Sequence, residues 1–468
     1  MAAPPKILFV AMHHSPHAAR WIDLAADLGY DLHMFPLDMD PPHQKLRKLT
    51  LHVPTLDEPG IKPVKEVRRR GMTARAKNFM RLARSNPGDA FRRLKSEIRR
   101  LTRMTMMRPV ADVLDAEPPR CDITSSDVQI RPLPIHKIIG KVLDVTETVR
   151  LGRADESDAT ALRIHGPDVL ASLIRKLEPD LIHSMEFQHS AYLVLAARDR
   201  LKGQFPRWLA TNWGSDIFYY GSLPDHARQI RRVCEAIDLY SCECHRDLAL
   251  GRKFGYRGPD LPVLPNSGGM DVDHVLSLRD PAPPSKRKLI MVKGYDHFAG
   301  RAMVSLAVLE RFAEQLRDYT IVLFSVGAKP RVRALELADA GTLKIKVIDW
   351  ATHDDILRHF GQARMYLGIS ISDAISTSVL EAMAMGAFPI QTDTSCCEEW
   401  FIHEKTGFAI PPDDFEKICE RFATALTDDA LVDAAAIENL EIIKSRLAME
   451  VLRPKMQDFY RQALSHAN

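Results

Sequence analysis

The chain lacks any uninterrupted apolar run close to the roughly 20 residues that a helical membrane span requires, so no spanning helix is expected and an integral protein is not the reading. It also lacks a cysteine framework. Its seven cysteines are odd in number and irregularly spaced, and Met1-Ala2-Ala3-Pro4-Pro5 leads into an apolar segment without a charged-then-apolar leader. Both features favour a reducing cytoplasm. A dominant charge is missing too: 64 Lys and Arg against 61 Asp and Glu leave +3, too little for the whole molecule to hold a polyanion by net charge.

What is present suits a globular chain of two or three domains, since 468 residues exceed one ordinary core. Lys6 to Ala11 reads as a buried strand. The loop Met12-His13-His14-Ser15-Pro16-His17 follows, then a helix from about Ala18 to Leu28 ended by Gly29, then a strand from Asp31 to Phe35. That order is a Rossmann-like opening. From about Lys45 to Thr160 the alternation fails, and charge becomes the signal. Residues Ile61 to Arg108 hold sixteen Lys or Arg against three acids, with Phe91, Leu94, Ile98 and Leu101 at helical spacing. Three readings fit this basic amphipathic segment: docking on an anionic membrane surface, binding a polyanion, or a solvated helix packed on the first domain. Nucleic acid is the weakest partner, because no reading module accompanies the charge.

The most informative stretch is Ser372 to Gly386. Met365 to Ser370 reads as a buried parallel strand and Val379 to Met385 as a helix packed on a sheet, so Asp373 and Glu381 bracket a loop and a helix start. Ser376, Thr377 and Ser378 suit a helix N-terminus, whose free N–H groups and dipole attract an anion. Two acids on either side of an anion site match a ligand with hydroxyls at both ends and a diphosphate between, as in a nucleotide sugar. The plainer alternative is that Asp373 caps the helix and Glu381 forms a surface ion pair.

This stretch resembles the E-x7-E signature of retaining family-4 glycosyltransferases of GT-B fold. Asp373 stands where the first Glu is expected, Glu381 matches the second, and Gly386-Ala387-Phe388-Pro389-Ile390 matches the following G-x-P-V-I. Asp for Glu, and Ala374-Ile375-Ser376 for the usual Gly-Phe-Gly, are departures. Further segments carry the resemblance. Pro179-Asp180-Leu181-Ile182-His183 resembles a P-D-x-x-H strand end, and Thr211-Asn212-Trp213-Gly214-Ser215-Asp216 resembles T-x-H-G-x-D with Trp213 in place of His. Leu264-Pro265-Asn266 to Asp271 resembles P-N-G-x-D, and Glu399-x6-Thr406-Gly407 resembles E-x6-T-G.

The resemblance implies an α/β chain of GT-B architecture, two Rossmann-like domains facing a cleft, with a basic insertion at about 45–160. It implies an acceptor domain over 1–270, a donor domain over 285–446 after the stiff Pro281 to Ser285 linker, and a last helix, 447–468, crossing back. Lys293 and Arg301 would neutralise the donor diphosphate, with Gly294, Ser376, Thr377, Ser378, Glu381 and Glu399 binding the donor and Asp373 its sugar. On the acceptor side it puts His13, His14, His17, Arg20, His183 and Trp213, with Asp216 as a catalytic or orienting carboxylate. It implies a nucleotide-sugar donor and a glycan or lipid-linked acceptor, no cofactor and no metal. Asp38-Met39-Asp40 has the letters of a cation-binding acid pair, yet it precedes Pro41-Pro42 and reads as a turn. Cys242-Glu243-Cys244-His245 matches no usual zinc spacing and reads as buried thiols. Two other functions stay open: a GT-B epimerase or hydrolase of nucleotide sugars, and a non-catalytic binding scaffold, which the departures at Asp373 and Trp213 favour.

Overall fold

The computed structural model describes residues 3–38, 40–56, 128–135, 148–151, 162–201 and 203–465. The basic segment 61–108 lies outside the described residues. Nine strands come first: β1 (Lys6–Ala11), β2 (Asp31–Pro36), β3 (Leu49–Leu56), β4 (Val128–Ile135), β5 (Thr148–Leu151), β6 (Leu162–His165), β7 (Leu181–Met185), β8 (Arg207–Thr211) and β9 (Leu239–Ser241). Seven of them form one sheet in the order β4-β3-β2-β1-β7-β8-β9, every pair parallel, while β5 and β6 pair antiparallel by themselves.

The second sheet orders as β12-β11-β10-β13-β14-β15, again parallel throughout. Its members are β10 (Leu289–Lys293), β11 (Thr320–Phe324), β12 (Lys344–Val347), β13 (Met365–Gly368), β14 (Phe388–Thr392) and β15 (Phe408–Ile410). Helices cover both faces, so central strands such as Ile7 to Ala11 are buried without alternation, as continuous apolar runs require. The fold is α/β, two Rossmann-like domains.

The expected insertion was drawn too wide. Residues 49–56 and 128–135, both within it, are strands β3 and β4 of the first sheet. Prolines hid them: Pro54 in one, Pro132 and Pro134 in the other. The sheet order puts β4 at the edge, where a missing N–H does not break an inner ladder.

Each sheet reverses its strand order once, between β1 and β7 in the first and between β10 and β13 in the second. Open parallel sheets bind ligands beyond the strand C-termini at such reversals. The helices that serve these points are α1 (Pro16–Ala25), α2 (His245–Lys253), α3 (His353–Gln362), α4 (Thr377–Met385) and α5 (Asp429–Leu447). Pro16 opens α1 where its missing N–H costs nothing. Thr352 and Asp355 form a reciprocal capping box at the start of α3.

The last helix, α6 (Met449–Ser465), packs on α1 of the first domain. Trp21 Nε1 donates to the Tyr460 hydroxyl at 2.9 Å, and that hydroxyl lies 2.9 Å from His183 Nδ1. All three side chains are fully buried.

Candidate active site

The two sheets meet with their reversal points face to face. Lys293 ends β10, Asp373 sits in the loop after β13, and their charged atoms are 3.8 Å apart. Burial works against the Lys293 ammonium, but Asp373 and then Tyr366 outweigh it and raise its pKa, so the lysine is charged. Gly294 turns the chain tightly against the end of β11: its N–H donates to Phe324 O at 2.8 Å, and a Cβ there would press on Val326. Ser376 is the N-cap of α4, its hydroxyl buried beside that of Tyr366, and Glu381 lies on the same helix, nearly buried.

Glu381 also borders a cavity of about 450 Å³ between the domains. From the first domain Arg20, Lys45 and the 267–271 loop line it; from the second, Thr352, His353 and Thr377 do. His353 Nε2 lies 2.7 Å from Glu381 Oε1 and 3.1 Å from the Arg20 guanidinium. His17 lies in the same field. Burial first, then Arg20, lowers its pKa to about 4, while Asp373 and Glu381 pull the other way. Its ring is 5.7 Å from that of Trp213, and both are only part-buried. Arg20, Thr377 and Glu381 thus line the cavity, and His17, packed against Trp213, feels the charges of Arg20, Lys293, Asp373 and Glu381.

The cleft is closed at one side. Ser372 Oγ is 3.1 Å from Ser215 Oγ, Arg246 donates to Asp373 O at 2.8 Å and Thr394 O at 2.7 Å, and Tyr219 stacks on Phe298 with centroids 4.2 Å apart. A Cβ on Gly214 would strike the Ala374 backbone nitrogen and come within 2.8 Å of Asp373 Oδ1. Gly214→Ala should therefore pry the domains apart at Asp373. Overpacking against backbone costs about 1–3 kcal/mol, so turnover should fall by roughly tenfold or more while melting changes little, as steady-state rates and a thermal scan would show.

The model of the family described as "Glycosyl transferases group 1" matches residues 290–428, and that described as "Glycosyl transferase 4-like" matches 141–241. Each domain thus matches a glycosyltransferase family, and the chain reads as a GT-B, family-4-like glycosyltransferase. Sucrose-phosphate synthase from Thermosynechococcus elongatus superposes on this glycosyltransferase with a TM-score of 0.61 at 13% identity, covering 99% of this chain and 100% of that one. A glycosyltransferase from Rickettsia africae gives 0.56 at 14%, covering 100% of both. HepE from Anabaena, solved with UDP and glucose, gives 0.57 at 12%, covering 98% and 100%. At such identities the likeness is one of fold. No curated protein matches the glycosyltransferase by sequence.

Four residues expected at the site of this glycosyltransferase have their side chains engaged by other partners. His183 is sealed in the first domain, its Nε2 2.7 Å from Thr211 Oγ1, because its place on β7 turns the ring toward Tyr460 and not outward. Asp216 is buried and its Oδ2 accepts the N–H groups of Trp213 (2.6 Å) and Phe187 (3.0 Å), so it ties two loops together. Burial, reinforced by Glu186, raises its pKa. Arg301 donates to Pro412 O at 2.7 Å and pairs with Asp413 at 3.0 Å. Glu399 accepts the His245 N–H at 2.9 Å, capping α2 across the domain seam.

His13 and His14 gather instead around Asp38, at 3.3 and 3.0 Å, near the first sheet's reversal. Burial lowers the His13 pKa, and the bond to Asp38 raises that of His14. Glu186, just past β7, was not foreseen. Its side chain accepts the N–H groups of Gln188, His189 and Ser190 from a backbone with φ of 82°, a conformation no sequence pattern announces. Arg246 and Glu243 were missed as well. Glu243 accepts the Asn266 N–H at 2.9 Å and lies 3.4 Å from the Ile375 nitrogen, and burial, then Asp373, pushes its pKa up to about 8.

Burial depresses the pKa of His183 to about 3. The sign follows from linkage: below the unfolded value of about 6.5 the unfolded chain takes up a proton that the folded one refuses. Stability present above that pH should be lost as pH falls toward 3, by up to about 1.4 kcal/mol per pH unit from this group. Thermal melts between pH 7 and 4 should show a shallower acid slope for His183→Gln than for the unaltered protein.

Proposed function

We propose that the protein transfers a sugar, with retention of anomeric configuration, from a nucleotide-sugar donor to a hydroxyl of a glycan or lipid-linked glycan, without a divalent cation in the step. The observation that carries the reading is the grouping of the Lys293–Asp373 pair with the α4 N-terminus and with Glu381, which borders the interdomain cavity. The α4 N–H groups and Lys293 would hold the diphosphate, with Arg20 reaching it from the other domain. Glu381 would hold the ribose, with the base toward Thr352 and His353, and Asp373 would bind the hydroxyls of the transferred sugar. That HepE was solved with UDP and glucose, and the pneumococcal O-GlcNAc transferase GtfA with UDP and GlcNAc, supports a uridine diphosphate donor as the first to try.

The chemistry follows from charge. As the bond between the anomeric carbon and the phosphate oxygen breaks, negative charge grows on the diphosphate, and donors already aimed there stabilise it. The acceptor oxygen bonds to the same face of the sugar and passes its proton to the departing phosphate oxygen. His17, neutral at pH 7 and beside Trp213, is placed to orient that acceptor. The acceptor would be a growing surface polysaccharide or its lipid-linked precursor, with the protein at the cytoplasmic membrane face. No helix among the described residues is long and apolar enough to cross a membrane.

The test is a panel of nucleotide sugars screened by thermal shift, followed by NMR of product with the donor that shifts most. A product with inverted configuration would sink retention, and no shift with any donor would sink the site. Donor turnover without acceptor would replace transfer by hydrolysis or epimerisation.

A further inference from the structure

The Cys244, Cys396 and Glu399 side chains come together at the seam between the domains, their ligand atoms all within 4.8 Å of one another. Cys244 belongs to the first domain, as the N-cap of α2; Cys396 and Glu399 belong to the loop after β14 in the second. We propose that these three side chains bind a thiophilic divalent cation, of the zinc or cadmium class, that bridges the two domains and holds the cleft closed.

The donor set fits the class. Two thiolates and a carboxylate are the soft and borderline ligands that such ions select, and three protein ligands with one open position make a tetrahedral site completed by water. Cys244 is buried while Cys396 and Glu399 are partly open, so the site has both an enclosed wall and an entry. Glu399 uses Oε1 to accept the His245 N–H, which fixes the carboxylate and leaves Oε2 for a metal. The neighbouring Arg246 is met by Asp247 at 2.9 Å and by two carbonyls of the second domain, so its charge is already balanced. Binding would replace two thiol protons by the cation and release them to solvent. The spacing of Cys242-Glu243-Cys244-His245 showed no zinc pattern because the missing ligands lie in the other domain.

The cluster adjoins the Asp373 loop, where the Cys396 N–H donates to Ala374 O at 2.6 Å, but it shares no side chain with the Lys293–Asp373 pair, and its consequence is mechanical. A sugar transferase that binds donor and acceptor between two domains must open to release product, and a bridge across the seam resists that opening. Cadmium titration of the full chain, followed by thiolate-to-metal charge-transfer absorption, reads the site directly, since binding at His13, His14 and Asp38 gives no such band. One cadmium per chain is expected. The band should vanish in Cys244→Ser and in Cys396→Ser, persist in Cys234→Ser, and need at least about tenfold more cadmium in Glu399→Gln. Zinc should compete for it and slow turnover, and Cys244→Ser should relieve that slowing. A band of equal strength in the Cys244 and Cys396 variants, or none in the unaltered protein, overturns the proposal. So does finding the two thiols already joined as a disulfide, by thiol counts before and after a reductant.

Discussion

Lys293→Met is expected to lower kcat by roughly 10²–10³-fold, the loss typical of removing one fixed donor from a developing anion. The lysine ammonium lies 3.8 Å from the Asp373 carboxylate, it is held at the end of a central strand, and its side chain is only 14% exposed. A cation fixed in so dry a place needs no rearrangement when charge appears on a leaving diphosphate, which is why its effect should fall on turnover. Donor affinity should drop less than kcat. Because methionine also leaves Asp373 without its partner, Lys293→Arg separates charge from geometry: a cation misplaced by an ångström should restore affinity better than rate. Steady-state kinetics with saturating acceptor would measure both. If kcat is unchanged in Lys293→Met, the diphosphate lies elsewhere.

Glu381→Ala should weaken nucleoside diphosphate binding by roughly ten- to a hundredfold, matching the 1.5–3 kcal/mol typical of a hydrogen bond to a charged group. The carboxylate is 7% exposed, held by His353 at 2.7 Å, and borders the cavity that both domains line. Its partner is nearly half exposed, so when the acid is removed His353 turns to water and the fold survives. Affinity should therefore suffer without a matching loss in melting temperature. Calorimetric titration with uridine diphosphate measures the first and a thermal scan the second. Equal binding in the variant would mean that the ribose hydroxyls are gripped by another group.

These two residues also show how far the sequence could be read. Asp373 and Glu381 were legible because a strand, loop and helix put them eight positions apart in one local motif, where composition and spacing carry the geometry. Lys293 was legible for the same reason, at the end of an apolar run. Arg301 was not, since its αL backbone (φ 46°) and its attachment to Asp413 depend on a loop more than a hundred residues away. His183 misled because a strand end names two faces and the choice between them was made by Tyr460, contributed by the last helix. Asp216 misled in another way: a conspicuous acid after Trp213-Gly214 is buried and accepts backbone N–H groups. Strands β3 and β4 were obscured by prolines, tolerable in β4 at the sheet edge and in β3 beyond the Leu49–Leu51 stretch that pairs with β2. Contacts made across the seam, such as Arg20 with His353 or Arg246 with Asp373, have no sequence signature at all.

The seat of Tyr460 in the first domain has a consequence for how the chain is made. Trp21 and His183 leave the ribosome well before the hydroxyl that satisfies both, which is synthesised only after the second domain. Of the two domains, the one translated earlier is thus completed later. Until then a nascent chain carries an apolar slot along α1, which is the kind of exposed surface that chaperones hold during synthesis.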